Sequence, residues 1–102
     1  MINRNVIVLK DAAGDLETGR AFYEKVAAGL GNYFQDSLIA DMESLEFFAG
    51  IHVKKYDLFR MLARRFPFAI YYDIAEDTVR IIAVLPLRRN PAWIEKTLHG
   101  RR

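Results

Sequence analysis

Apolar residues are concentrated in two runs in the second half of the chain, separated by the short turn Ala75-Glu76-Asp77. The first run begins at Phe66 or Phe68 and ends at Ile74, and the second extends from Thr78 to Leu85. Both runs are rich in β-branched and aromatic residues, and so short a turn reverses the chain directly. The pattern therefore predicts two antiparallel strands that form a hairpin.

Side chains alternate between the two faces of a sheet along each strand. Within the first run, one face receives Phe68, Ile70 and Tyr72, and the other receives Ala69, Tyr71 and Asp73. Since apolar side chains occur in both sets, we expect both faces of the sheet to be covered. A third predicted strand, Tyr56 to Ala63, precedes the hairpin and gives the sheet the order of a meander.

The first half of the chain has the spacing of amphipathic helices. After a β-branched stretch that predicts a strand over Val6 to Leu9, Asp11 can cap a helix that ends at Gly29-Leu30-Gly31. A second helix is predicted over Asn32 to Phe48, and the two helices form a hairpin. The segment NPAWIEKTL, with Pro91 in its first turn, predicts a short C-terminal helix.

These elements predict a single α+β domain over residues 1–102. Its N-terminal strand and two-helix hairpin are expected to pack on a small antiparallel sheet that has the last two strands at its centre. The helical hairpin covers one face of the sheet, and the C-terminal helix or a second protein covers the other. The residues predicted to be mainly buried are Phe22, Val26, Leu38, Met42, Leu45, Ile70, Tyr72, Ile81 and Ala83.

Composition narrows the class of protein. The chain has 102 residues, 52% of them hydrophobic, and no cysteine, which is typical of a soluble protein that folds without disulfides. It shows neither a secretory signal nor a membrane-spanning run, so a cytoplasmic location without membrane contact is expected. The motifs of common enzyme classes are missing, and His52 and His99 lack ligand-like spacing. We expect no cofactor and no metal.

Charge is distributed unevenly along the chain. Residues 1–50 contain four Lys or Arg and eight Asp or Glu, whereas residues 51–102 contain eleven and five. The basic side chains that bracket the predicted strands are Lys54, Lys55, Arg60, Arg64, Arg65, Arg80, Arg88 and Arg89.

Two basic doublets flank the predicted hairpin. Arg64-Arg65 precedes its first strand and Arg88-Arg89 follows its second, so both are expected at the same end of the sheet. Such a cationic edge suits phosphates, an acidic peptide or an acidic protein surface. It could equally serve as solvated charge that discourages aggregation of the strands.

The order of elements resembles a known group of proteins. With the segments DLETGRAFYEKVAAGLGNYF and FRMLARRFPFAIYYDIAEDTVRIIAVLPLRRNPAWI, the chain resembles the RelE/ParE superfamily of bacterial type II toxins, also described as plasmid stabilisation proteins. The resemblance covers nearly the whole chain. It implies a small α+β toxin that is held inactive by a cognate antitoxin, whose disordered tail folds against it. A homodimer or a toxin–antitoxin heterotetramer is compatible with this assignment.

The superfamily divides into ribosome-dependent mRNA endoribonucleases and ParE-like inhibitors of DNA gyrase that have no known hydrolytic site. The ribonuclease pattern implies basic residues at Arg60 and Arg89, and both are present. Its Lys, Arg and Tyr positions fall at Leu62, Ala69 and Glu95, which do not fit. RNA cleavage also needs a group that accepts a proton, and arginine is a poor base.

The resemblance therefore favours a ParE-like gyrase inhibitor without hydrolytic activity. A RelE-like ribonuclease, with the ribosome and mRNA as partners, is the first alternative. A non-toxic antitoxin-binding module of the same fold is the second. Arg60 and Arg89 are candidate catalytic residues only for the ribonuclease. The residues expected to contact a target or partner are Arg60, Arg64, Arg65, Arg88, Arg89 and Trp93.

Overall fold

A computed structural model describes residues 3–101, so the domain limits predicted at residues 1 and 102 lie outside the described range. The elements within it are β1 (Asn5–Val8), α1 (Lys10–Val26), α2 (Leu30–Glu43), α3 (Leu45–Phe48), β2 (Lys54–Lys55), β3 (Leu58–Leu62), β4 (Phe68–Ala75), β5 (Thr78–Pro86) and α4 (Pro91–Gly100). The predicted α+β class is confirmed. No helix within residues 3–101 has both the length and the apolar character that crossing a membrane requires.

The five strands form one sheet in the order β1-β5-β4-β3-β2. The predicted hairpin is β4–β5, and it lies at the centre of the sheet with Ala75 paired to Thr78 across the turn. β1 runs parallel to β5, with Asn5 opposite Thr78. The sheet is therefore mixed, whereas the sequence predicted an antiparallel one. A parallel neighbour needs a long crossover connection, which the whole segment from α1 to β4 supplies.

The two faces of the sheet bury different sets of side chains, as alternation predicts. The first is covered by the α1–α2 helical hairpin and is called the hairpin face. On it, Phe68, Ile70 and Tyr72 pack against α1 and α2. On the second, called the α4 face, Ala69 and Tyr71 pack against α4. The C-terminal helix is thus one of the two covers that the sequence left open.

A β-bulge in β5 changes which of its residues lie on each face of the sheet. Tyr71 pairs with Ala83 and Tyr72 with Ile81, so Ile82 is an extra residue with no partner of its own. Both Ile82 and Ala83 belong to the cluster on the α4 face. The bulge shifts the alternation by one residue, and each side of the strand still meets apolar cover.

The prediction of burial was wrong at two positions of α1. Phe22 and Val26 are 61% and 62% exposed. The side of α1 that packs inward carries Leu16 and two small residues, Ala12 and Gly19. Gly19 lies directly against the ring of Phe34 in α2, so close helix contact selects for size rather than for hydrophobicity at this position. The other predicted core residues, Leu38, Met42, Leu45, Ile70, Tyr72, Ile81 and Ala83, are buried.

Two predicted elements differ in extent from those observed. The helix expected over residues 32–48 breaks at Ser44, whose hydroxyl donates to the carbonyl of Asp41 at 2.6 Å. The strand expected to start at Tyr56 begins at Leu58, because Tyr56 and Asp57 form a tight turn with φ of 57° and 64°. Two successive positive φ angles are typical of a type I′ hairpin turn, which usually contains Asn or Gly.

Gly19→Ala is expected to destabilise the fold. Its Cβ would lie 2.5 Å from two ring carbons of the fully buried Phe34, which has no room to move. We expect a loss of about 1–3 kcal/mol in the free energy of unfolding, measured by urea denaturation. Gly14→Ala in the same helix is the matched control. It meets nothing within 4 Å, and we expect a gain of about 0.5–1 kcal/mol. Equal effects of the two changes would contradict this account of the α1–α2 contact.

Candidate functional site

A groove runs along the free edge of β5, between α1 and α4, and has a volume of about 630 Å³. It exists because β1 pairs with β5 only as far as Ile81, so the last part of β5 has a strand, β4, on one side only. We call it the α1–α4 groove. The side chains that define its walls and its end are Phe22, Tyr23, Phe68, Pro86, Arg88, Arg89 and Trp93.

The edge of β5 in this groove is closed to an additional strand. A carboxylate oxygen of Asp15 accepts the N–H of Val84 at 2.9 Å. Arg101 donates to the carbonyl of Ile82 at 3.1 Å. Pro86, the next position whose backbone points outward by alternation, has no N–H. Any ligand of the groove must therefore be recognised mainly through its side chains rather than by strand addition.

Asp15 and Arg101 also form an ion pair, called here the edge clasp. The guanidinium donates to both carboxylate oxygens of Asp15, at 2.6 and 2.8 Å. The hydrogen bond to Asp15 raises the pKa of Arg101, while burial acts in the opposite direction. The clasp ties the C-terminal end of α4 to α1 and closes one end of the groove. No local sequence signal predicts it, since 86 positions separate the two residues.

The other end of the groove is cationic. The N–H of Leu87 donates to the carbonyl of Pro67 at 2.9 Å, which places the loops that carry the two arginine doublets at the same end of the sheet. Arg89 lies over the ring of Trp93, with its guanidinium carbon 4.0 Å from the ring centroid. Such stacking fixes the plane of the guanidinium and leaves its N–H edge available for a ligand.

The arginine side chains at this end form no ion pair in the described chain, although the buried carboxylate of Asp41 accepts the backbone N–H of Arg64 at 3.1 Å. Within the part of the chain that the structure describes, none of Arg64, Arg65, Arg88 and Arg89 forms a salt bridge. Arg80, in contrast, is paired with Asp73 through contacts of 2.8 and 2.6 Å. The sheet therefore presents uncompensated positive charge at one end, which suits a negatively charged ligand.

The predicted site residues do not all lie in one depression of the surface. Arg88, Arg89 and Trp93 line the α1–α4 groove. Arg60 lies on β3 opposite Tyr71, and it lines a separate depression beside β2. Arg64 and Arg65 line neither of the two. Phe22, which the sequence assigned to the core, and the clasp residues Asp15 and Arg101 are groove residues that sequence reasoning missed.

Tyr71, which lies opposite Arg60, is poorly suited to accept a proton at neutral pH. Burial raises the pKa of the Tyr71 phenol, and the positive charge of Arg60 only partly opposes this. Among residues 3–101, no group of three His, Asp or Glu side chains is arranged to hold a metal ion.

His52 is held in a hydrogen-bonded chain on the hairpin face. The N–H of Gly50 donates to the hydroxyl of Tyr72 at 2.9 Å, and that hydroxyl lies 2.5 Å from Nδ1 of His52. Which of the two groups donates depends on the tautomer of His52: when Nδ1 is unprotonated, the Tyr72 hydroxyl donates to it. Burial lowers the pKa of His52.

The fold is similar to that of a solved structure. A chain of the chromosomal ParDE TA system from P. aeruginosa has a similar structure, with a TM-score of 0.76 and 13% sequence identity, over 83% of this chain and 97% of that chain. The predicted ParE-like fold is therefore confirmed. No protein-family model matches the sequence, and a search of curated proteins finds no match either.

Asp15→Asn is expected to weaken the fold through the edge clasp. The change leaves the partly buried guanidinium of Arg101 with only the more exposed carboxylate of Asp11, 4.0 Å away, as counter-charge, and it alters the acceptor of the Val84 N–H. We expect the free energy of unfolding to fall by about 1–3 kcal/mol in urea denaturation. Glu17→Gln is the matched control, because its pair with Arg20 in the same helix is exposed. A loss for Glu17→Gln as large as that for Asp15→Asn would count against the clasp.

The free energy of unfolding should fall as the pH is lowered from 7.5 to 5.5. The pKa of His52 is lower in the folded chain than its ordinary value, so the unfolded chain binds the proton more readily in this range. His52→Gln keeps an acceptor for the Tyr72 hydroxyl but does not titrate. We expect denaturation of this variant to depend less on pH than that of the wild type. An identical pH dependence would show that the hydrogen-bonded chain does not control the titration.

Proposed function

We propose that this protein is the toxin component of a type II toxin–antitoxin system, that a cognate antitoxin neutralises it, and that the free protein inhibits DNA gyrase. The observation that carries this proposal is the α1–α4 groove, which combines exposed aromatic walls with uncompensated arginines. The fold, which is also that of a chain in a ParDE system, supports the assignment.

The groove suits a segment of an antitoxin that has apolar side chains and acidic residues. Phe22 and Trp93 offer apolar surface on opposite walls, and Arg88 and Arg89 lie together at one end. Apolar contacts with the walls would supply most of the affinity, and the charges would fix the direction of the bound segment. Because the edge of β5 is closed, we expect the segment to bind through side chains, most simply as a helix.

Inhibition of gyrase would use the same cationic end as a contact surface. Arginine stays protonated at physiological pH, so it can bind a carboxylate or phosphate but is a poor proton acceptor. The stacked guanidinium of Arg89 is already oriented for two parallel hydrogen bonds to such a group. A blocking contact of this kind requires no bond-making step.

The ribonuclease alternative receives less support. Arg60 and Arg89, its two candidate catalytic residues, line different depressions. Ala69, at a position where the ribonuclease pattern has Arg, is fully buried beneath α4. The raised pKa of Tyr71 makes it a poor base beside Arg60. A non-toxic binding module would keep the groove and its partner without inhibiting either target.

A supercoiling assay with purified gyrase tests the proposal. The wild type should inhibit supercoiling, and Arg89→Ala and Trp93→Ala should each weaken inhibition by about tenfold, because each removes one half of the stacked pair. Arg89→Lys keeps the charge but loses the planar fork, so we expect an intermediate effect. Lys96→Ala, an exposed charge on the same helix outside the groove, should behave as the wild type.

Two other results would assign the protein differently. Cleavage of ribosome-bound mRNA that is lost in Arg60→Ala or Arg89→Ala would establish the ribonuclease. Absence of both activities, with tight binding to the product of an adjacent reading frame, would establish the non-toxic module.

A further inference from the structure

The α4 helix covers only part of the face on which it lies. Its Ile94 and Leu98 pack in one cluster with Ala69, Tyr71 and Leu85 of β4 and β5. Toward β2 the same face has no helix above it within the described chain. The cover therefore ends partway across the sheet.

The uncovered part of this face is apolar. Leu62 lies opposite Ala69 and Arg60 lies opposite Tyr71, so Leu62 and Arg60 share the α4 face. The carbonyl of Val53 accepts the N–H of Arg60, so Val53 lies beside Arg60 on the same face. Val53 is 81% exposed, Ile51 72% and Leu62 51%. These three aliphatic side chains line one depression and are called here the β3 patch.

The dimensions of the patch match one α-helix beside α4. Strands are spaced by about 4.8 Å, so the line between β2 and β3 lies about 9–10 Å from the line between β4 and β5. Packed helices have axes about 8–10 Å apart. The exposed stretch is about three residues long on each strand, or about 10 Å, which corresponds to two turns of helix. A short helix above the patch would contact α4 at an ordinary distance.

Charge around the patch indicates the nature of that helix. Arg60 lines the patch, and Lys55, next to it in the same depression, lies with its ammonium over the ring of Tyr56. Neither cation forms a salt bridge within residues 3–101. Docking two copies through this patch would bring like charges together. Nucleic acid would need stacking platforms, which aliphatic side chains do not provide.

We propose that the β3 patch is a docking site for one short amphipathic helix of a partner protein, with acidic residues flanking its apolar stripe. The patch lies toward the β2 edge of the sheet, and the α1–α4 groove lies along the β5 edge, so the two can be occupied at the same time. The docking site does not depend on the proposed gyrase inhibition.

A synthetic peptide tests the site directly. The probe is a 14-residue stapled helix with Leu on one face and Glu on both flanks, titrated into the ¹⁵N-labelled protein by NMR and calorimetry. We expect saturable binding with shifts at residues 51–62 and on α4. Combined Val53→Ser and Leu62→Ser should weaken it about tenfold or more, and both side chains are exposed enough for the variant to fold. Ile39→Ser, an exposed aliphatic residue on α2, is the matched control and should bind as the wild type.

The other outcomes overturn the proposal. The proposal is wrong if the peptide does not bind saturably, or if only Phe22 and Trp93 show shifts. It is also wrong if a peptide with Lys in place of Glu binds with equal affinity. If light scattering shows a dimer, and the combined Val53→Ser and Leu62→Ser substitutions disrupt it, the patch would be assigned to a second copy of the chain. A single-stranded oligonucleotide that shifts residues 51–62 more strongly than the peptide would assign it to nucleic acid.

Discussion

The fold depends on how the free edge of β5 is satisfied where β1 ends. Beyond Ile81 the outward backbone groups of β5 have no strand beside them, and unpaired polar groups near a core are costly. Asp15 and Arg101 fill this role together, one as acceptor for Val84 and the other as donor to Ile82. Because the same two side chains bind each other, they also join α1, β5 and α4. The sheet can therefore bury β4 and β5 on both faces although its first strand has only four residues.

The arginines of the second half fall into two groups with different physical roles. Arg80 and Arg101 are neutralised by Asp73 and Asp15 and contribute to the structure. Arg88 and Arg89 have no such partner in the described chain, and the guanidinium of Arg89 lies over the indole ring of Trp93. A side chain that is oriented but electrostatically uncompensated loses little entropy when a ligand binds, which makes it an efficient contact residue. Net charge alone conceals this division.

The sequence predicted the parts of the fold that local patterns control. Alternation placed Phe68 and Tyr71 on opposite faces correctly, and the arginine doublets were expected at one end because a tight turn fixes the register of a hairpin. Phe22 was misplaced, since helix contact at Gly19 depends on the partner ring and not on hydrophobicity. Within the candidate site, Arg88, Arg89 and Trp93 could be named from sequence. Their groove could not, because it depends on the clasp between residues distant in sequence and on the point where β1 ends.

The turn between β2 and β3 gives the two edges of the sheet different mechanical characters. Tyr56 and Asp57 adopt left-handed φ angles, which typically cost on the order of 1 kcal/mol or more each for residues with a Cβ. β2 pairs with β3 through two residues, and the N–H of Arg60 also donates to the carbonyl of Val53 at 3.0 Å. So short a pairing is expected to open at a lower free energy than the central strands, whereas the opposite edge is closed by an ion pair and a proline. The two edges of the sheet are therefore expected to differ in local stability.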